Sequence, residues 1–245
     1  MYYYVYDEFV QDRKYEKDLF QIENRLTDLG ISGKIGRLAL FKDACELIKD
    51  EVRRGAKSVI LVGNDDTFNK VAKVIGEVKA TFGLLPLGDE GMSYAEVLGI
   101  PKGLLACDVL SARIIKEMDV GRINDRNFFQ KIVMPDTDVP IRCDGSYSIA
   151  PSVRGDIEIR NWGTADENGR ALGNPVDSLF DVIIHSQIDR KTKEKTNLKH
   201  ATIDIRVKKQ IPVYVDGERI NGSSFKIKMA PNKAKMIVGK NRLFE

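Results

Sequence analysis

The sequence predicts an α/β domain built on a parallel sheet, followed by an antiparallel β domain. Two observations carry this. Short β-prone runs alternate with stretches of helical period up to about Met118. After Asp119 the helical period disappears, and runs that alternate apolar and polar residues take over, separated by turn dipeptides. Alternating strands and helices imply a parallel sheet covered on both faces. Strands spaced by Asp-Gly and Asn-Gly pairs imply antiparallel hairpins, here read as a β-sandwich.

The elements follow in order. Tyr2 to Tyr6 reads as a strand. Lys14 to Leu29 reads as a helix, because Leu19, Ile22, Leu26 and Leu29 share one face and Gly30 follows. Gly33 to Arg37 holds a short strand, and Lys42 to Gly55 a helix carrying Ala44, Leu47, Ile48 and Val52. Ser58 to Val62 is an apolar strand, with a helix expected over Thr67 to Glu77. Thr81 to Leu87 is a strand, and helices are expected over Tyr94 to Leu98 and Leu104 to Lys116. Beyond these, strands are expected at Phe128 to Val133, Asp156 to Arg160, Phe180 to Ile184, Ala201 to Val207 and Val213 to Val215. Turns are expected at Asp144-Gly145, Asn168-Gly169, Asp216-Gly217 and Asn221-Gly222, and Asp189 to Asn197 reads as a solvated hairpin loop. The domains so predicted are 1–118 and 119–228, with the tail 229–245 packing back on the first.

Bulk properties narrow the function classes. The formal charge of +3 gives no electrostatic case for nucleic acid. Three Cys, none at metal-like spacing with His, suggest neither a disulfide framework nor a zinc site and fit a reducing compartment. No apolar run approaches the ~18 residues of a membrane-spanning helix. The start, MYYYVYDEF, is aromatic and acidic, unlike a signal peptide, so a cytoplasmic location is expected. His185 and His200 stand alone in the sequence and read as structural; Trp162 reads as packing.

The stretch Val59 to Ala72, VILVGNDDTFNKVA, carries the chemistry. An apolar strand breaks at Gly63, a polar turn follows, and a helical pattern resumes. Strand, tight turn and helix is an arrangement that can present backbone N–H groups to a phosphate. Several further pieces come in a fixed order: Leu84-Leu85-Pro86-Leu87-Gly88, Leu98-Gly99-Ile100-Pro101, Met118 to Asn124, Asn174 to Asp181, Val213 to Glu218 and Met229-Ala230-Pro231. Together they resemble the diacylglycerol kinase catalytic family, kin to sphingosine and NAD kinases. The pieces stand where that family has GGDGTxN, IPLGTGNDFARxLGIP, DLGRVN, P-x-x-DGxLD and DGE.

The resemblance implies an ATP-dependent lipid kinase with its active site in the cleft between the domains, using ATP and Mg²⁺. It places nucleotide binding on Gly63, Asn64, Asp65, Asp66, Thr67, Asn69 and Gly88. It assigns the catalytic base to Glu218, phosphate and metal handling to Asp65, and a structural Mg²⁺ to Asp177 with the carbonyls of Asn174 and Leu179. Such chemistry needs close N–H donors, an aligned hydroxyl and a base within hydrogen-bond reach.

The sequence also departs from the family pattern. Asn64 and Asp66 replace two Gly. Asp89-Glu90-Gly91-Met92-Ser93 replaces T-G-N-D and is one residue longer. Tyr6 to Gln11 stands in place of the NPxSG loop, and Arg37-Leu38 in place of a Thr pair. The residues from Met134 to Gly155, rich in Pro, Gly and Asp, leave no room for lipid-covering helices. Asp65, Asp66, Asp89 and Glu90 are expected to crowd one crevice. A like-charge pair at ~4 Å costs ~1 kcal/mol in water and ~4 kcal/mol at an effective dielectric of 20. Lys70 is expected to point into that crevice and to offset them. The departures predict weak or lost activity. They leave open a non-catalytic binding or assembly role, or a small polar acceptor. A nucleotide or other small molecule remains the expected ligand. The basic run Arg190, Lys191, Lys193, Lys195 and Lys199 raises a peripheral contact with anionic lipid, and edge strands raise a homodimer.

Overall fold

A computed structural model describes residues 1–38, 43–163, 172–187 and 193–245. The chain divides into two compact units, Met1–Met118 with Lys233–Glu245, and Asp119–Asn232. The first unit begins with β1 (Tyr2–Tyr6), α1 (Glu16–Asp28), β2 (Lys34–Arg37), α2 (Ala44–Arg53) and β3 (Ser58–Gly63). It continues through α3 (Asp65–Val71), β4 (Thr81–Pro86), α4 (Ser93–Leu98), α5 (Ala106–Ala112) and β5 (Ile115–Met118). Every residue of β3 and β4 is buried, as a sheet covered on both faces requires. Asp43 caps α2 by accepting from the N–H groups of Cys45 and Glu46. Lys42, where that helix was expected to begin, lies outside the described residues.

Two helices differ from the sequence reading. α3 starts at Asp65, two residues before the expected start, because Asn64 caps it, and the α-helix ends at Val71. Turns follow, with Gly76 at φ 85°. α5 ends at Ala112 rather than Lys116. Arg113 takes a left-handed conformation (φ 52°), and its guanidinium bonds the hydroxyls of Tyr2 and Ser58. The β-branched pair Ile114-Ile115 then leads into β5, which favours strand over helix.

The second unit is all strand and turn among its described residues. Its strands are β6 (Gly121–Ile123), β7 (Arg126–Phe128), β8 (Lys131–Thr137), β9 (Ile141–Cys143), β10 (Tyr147–Ile149), β11 (Gly155–Arg160), β12 (Phe180–Gln187), β13 (Lys193–His200), β14 (Thr202–Val215) and β15 (Glu218–Met229). They form one hydrogen-bonded network in the order β13-β12-β11-β8-β14-β15-β6-β7, with β9 on β14 and β10 on β9. β14 makes this possible. Its register breaks between Arg206 and Ile211, so Ile203 to Ile205 pairs with β9 while Tyr214 and Val215 pair with β8. Ile205 before the break and Val215 after it enter the same core, with Phe128, Phe180, Ile157 and Ile227.

Several strand expectations change here. The run Phe128 to Val133 is two strands, because Asp216 takes the N–H groups of Phe129, Gln130 and Lys131 out of the ladder. Thr202 to Val207 and Val213 to Val215 belong to one long strand, and Ala201 lies just before it. Asn221-Gly222 lies within β15, opposite Pro212 and Ile211, rather than in a turn. Lys193 to Asn197, read as loop, is ladder of β13 against β12. The Asn168-Gly169 turn, Arg190 and Lys191 lie outside the described residues. Residues 134–155 hold strands and no helix.

The last strand, β16 (Ala234–Ile237), belongs to the first unit and runs parallel to β4 and antiparallel to β5. The first sheet therefore reads β2-β1-β3-β4-β16-β5. Gly239 N–H bonds Leu98 O, and Leu243 N–H bonds Val97 O, holding the tail on the end of α4. A Cβ on Gly99 (φ 66°) would stand 2.3 Å from the Arg242 nitrogen, so only glycine admits this approach. No helix among the described residues is long and apolar enough to cross a membrane. The three Cys are buried and unpaired, and burial pushes the thiols of Cys107 and Cys143 up to about 11.

Candidate functional site

β3 delivers the turn to the carboxyl end of the parallel sheet, where α/β folds place ligands. Asn64 closes a capping box there. Its Oδ1 accepts from the N–H groups of Asp66 (3.1 Å) and Thr67 (3.3 Å), and its own N–H donates to Thr67 Oγ1 (3.1 Å). Asp65 N–H donates to Gly91 O at 2.7 Å, and Phe68 N–H to Asn64 O at 3.2 Å. Every N–H from Asn64 to Phe68 thus has a partner within the protein. A Cβ on Gly63 would meet Thr67 Oγ1 at 2.0 Å, so this glycine makes room for the threonine hydroxyl.

The acids of the turn and the loop after β4 either have their own partners or face solvent. Asp65 turns to the next helix: its carboxylate accepts from Ser93 N–H, Ser93 Oγ–H and Tyr94 N–H, and so caps α4. Asp66 and Glu90 are exposed. Asp89 is 80% exposed and pairs with Lys102 at 3.3 Å. Asn69 Oδ1 accepts from Tyr94 Oη at 2.8 Å, and Phe68 stacks on the Tyr94 ring at 4.0 Å. Gly88 holds φ 118° in the loop after β4. The hollow beside the turn, lined by Gly63, Asn64, Asp65, Pro86, Gly91 and Met92, measures about 10 Å³, room for a single water.

The centre of the cluster is a residue the sequence reading did not weigh. Asp7, at the end of β1, is 1% exposed. It accepts from Glu8 N–H (2.6 Å), Thr67 Oγ1–H (2.7 Å) and Lys70 Nζ (2.7 and 2.8 Å). Lys70 is therefore committed to Asp7 rather than offsetting the turn's acids. The signal was a carboxylate at the end of an apolar strand, where a buried charge needs partners. A wider groove of about 540 Å³ lies between the segment following β1 and α1, lined by Gln11, Arg13, Leu19, Phe20 and Arg37 among others.

The remaining site residues belong to the second unit. Asp177 Oδ1 accepts from Leu179 N–H at 3.0 Å, and Oδ2 accepts from Lys199 Nζ at 2.6 Å. Asn174 Oδ1 accepts from Val176 N–H, and Asp119 accepts from the N–H and hydroxyl of Ser178. Lys199 is thus held above its usual range, chiefly by the hydrogen bond to Asp177. Its ammonium neutralises the Asp177 carboxylate, and no group of three or more acidic, His or Cys side chains that could hold a metal occurs among the described residues. As arranged, the cation paired with the Asp177 carboxylate is the Lys199 ammonium. Asp177→Asn should lower Tm by only a few degrees, as loss of a surface pair does. The loss should be equal in Mg²⁺ and in EDTA; a drop confined to Mg²⁺ would mean that Lys199 yields its place to the ion. Glu218 follows the Asp216-Gly217 turn, is 69% exposed and pairs with Arg126 at 2.6 Å. Burial pushes the Asp216 carboxyl up, against its three N–H donors.

Comparison with known proteins places this arrangement. The model of the diacylglycerol kinase catalytic domain matches residues 3–123. A "Probable lipid kinase YegS-like" from Klebsiella pneumoniae (strain 342) is 31% identical over 119 residues, 46% of this chain and 39% of its own length. "Probable lipid kinase YegS" from Salmonella arizonae is 34% identical over 110 residues, 42% of this chain and 36% of its own length. Residues 3–123 belong to the diacylglycerol kinase catalytic-domain family. The match spans under two-fifths of the length of these curated relatives. A diacylglycerol kinase crystal structure from Bacillus anthracis str. Sterne superposes with a TM-score of 0.77 at 15% identity, covering 98% of this chain and 97% of that one. A second structure from that organism gives 0.80 at 16% identity, covering 98% of both chains. The fold, an α/β unit on a mainly parallel sheet and a separate antiparallel sheet, matches that of these solved diacylglycerol kinase structures.

Proposed function

We propose that this lipid-kinase-family protein has a nucleotide turn filled by its own groups, so that ATP-dependent phosphoryl transfer to a lipid hydroxyl is weak or lost. One observation supports this above the others. A phosphate needs open N–H donors, and each N–H from Asn64 to Phe68 already has an acceptor inside the protein. The small hollow beside the turn and the commitment of Asp65 to α4 point the same way. In an active protein, Glu218 would act as base and Asp65 and Thr67 would handle phosphate and Mg²⁺. Here Glu218 is held by Arg126, and Thr67 donates to Asp7.

Calorimetric titration of the whole chain with Mg²⁺-ATP tests the proposal. The expected outcome is no binding, or a Kd near millimolar, about −4 kcal/mol. Asn64→Gly with Asp66→Gly should tighten it, because the first change frees the N–H groups of residues 66 and 67 and the second removes a charge. Low-micromolar binding by the unmodified chain, or weaker binding by the double variant, would restore the kinase reading.

A further inference from the structure

His200, which stands alone in the sequence, is the middle of a three-residue chain in the second unit. It closes β13, is 4% exposed, and its Nδ1 lies 2.9 Å from Asp144 Oδ2. Its Nε2 lies 3.2 Å from the hydroxyl of Tyr147. Asp144 occupies the β9–β10 turn at φ 49°, and its Oδ1 accepts from the N–H groups of Ala201 (3.0 Å) and Thr202 (2.8 Å). The hydrogen bond from His200 is the largest cause holding the Asp144 carboxyl below its ordinary range; burial opposes it, and the two N–H bonds add to it.

With a neutral imidazole, these contacts select one tautomer. An ionised carboxylate only accepts, so Nδ1 carries the hydrogen and Nε2 presents a lone pair. Tyr147 then donates its O–H to that lone pair. The phenol is 49% exposed, while the base behind it is buried and oriented. Nucleophile, base and orienting acid in this order form the arrangement that activates a hydroxyl. The hairpin does not depend on Tyr147 for its anchorage. Asp144 N–H bonds Thr202 O, and β9 pairs with β14 from Ile141 to Cys143.

We propose that Tyr147 is a general-base-activated nucleophile that accepts an acyl group from an activated ester or thioester, with His200 as the base and Asp144 as a positioning residue. In the step, Tyr147 Oη bonds the acyl carbon and the ester C–O or thioester C–S bond breaks. The phenolic proton passes to His200 Nε2, and the alkoxide or thiolate leaves with the bond's electron pair. The resulting imidazolium is stabilised by Asp144 and returns its proton to the solvent.

The probe is p-nitrophenyl acetate, applied to the whole folded chain, with the acetylated residues located and timed by mass spectrometry. Acetylation at Tyr147 should run about 10²-fold or more faster than that of N-acetyltyrosinamide under the same conditions, the usual scale of general-base assistance. His200→Gln should remove that advantage. Asp144→Asn should reduce it while leaving the circular dichroism spectrum unchanged, and Tyr147→Phe should eliminate the site. A rate at Tyr147 equal to that of the free tyrosine amide would overturn the proposal. So would a rate unchanged in folded His200→Gln, because the trio would then be only a strut.

Discussion

Trp162→Ala should destabilise the Asp119–Asn232 unit by about 3–5 kcal/mol. The indole is 1% exposed, packs edge-on against Phe129 at 5.1 Å and donates Nε1–H to Asp119 O at 2.7 Å. Burying ~150–250 Å² of ring at ~25 cal/mol per Å² sets an upper bound near ~6 kcal/mol. The lost hydrogen bond matters less, since Asn161 Nδ2 also donates to Asp119 O, at 3.0 Å. Trp162→Phe should therefore recover most of the stability and cost ~1–2 kcal/mol. Urea unfolding followed by circular dichroism measures both. Fluorescence of the wild type adds a local report, because the sequence contains one Trp. An alanine variant within 1 kcal/mol of wild type would contradict the packing account.

The second large effect is expected at Phe68. This ring is fully buried and stacks on Tyr94 at 4.0 Å with an interplanar angle of 20°. It joins α3, which carries the turn, to α4, which Asp65 caps. Phe68→Ala should cost about 3–5 kcal/mol in the first unit, and Phe68→Leu distinctly less. A double-mutant cycle with Tyr94→Ala should give a coupling of ~0.5–1.5 kcal/mol. Strict additivity in that cycle would show that the two rings stabilise independently.

The fold class was legible because periodicity reports burial. β3 is apolar throughout and lies buried on both faces, while β11 alternates Asp156-Ile157-Glu158-Ile159 and buries only the isoleucines. The misread segments are those where distant groups overrule local preference. The break at Phe129 and Gln130 is made by Asp216, and their separations of 87 and 86 residues hide it from any local window. The end of α5 depends on Arg113 reaching Ser58, 55 residues away. At the candidate site the turn itself was legible, since Asn64 and Thr67 form a local capping pair. The destinations of its side chains were not. Asp7 meets Thr67 across 60 residues, and Asp65 meets Ser93 across 28. A count of acids in the motif therefore predicted repulsion where the folded chain instead builds caps and ion pairs.

The position of β16 bears on the order in which the protein can be made. Domains usually mature from the amino end as a chain leaves the ribosome. Here the first unit is interrupted in sequence. Its sheet places β16 between β4 and β5, and among the described residues β5 hydrogen-bonds to no other strand. Residues 1–118 can therefore emerge without being able to close their own sheet, leaving the β4 edge open during translation. The segment Asp119–Asn232 is continuous and contains all the strands of its own sheet. It can finish while the earlier-made half still waits for its last strand. The unit synthesised first is thus the last to be completed, and its exposed apolar edge is where a nascent-chain chaperone would be needed.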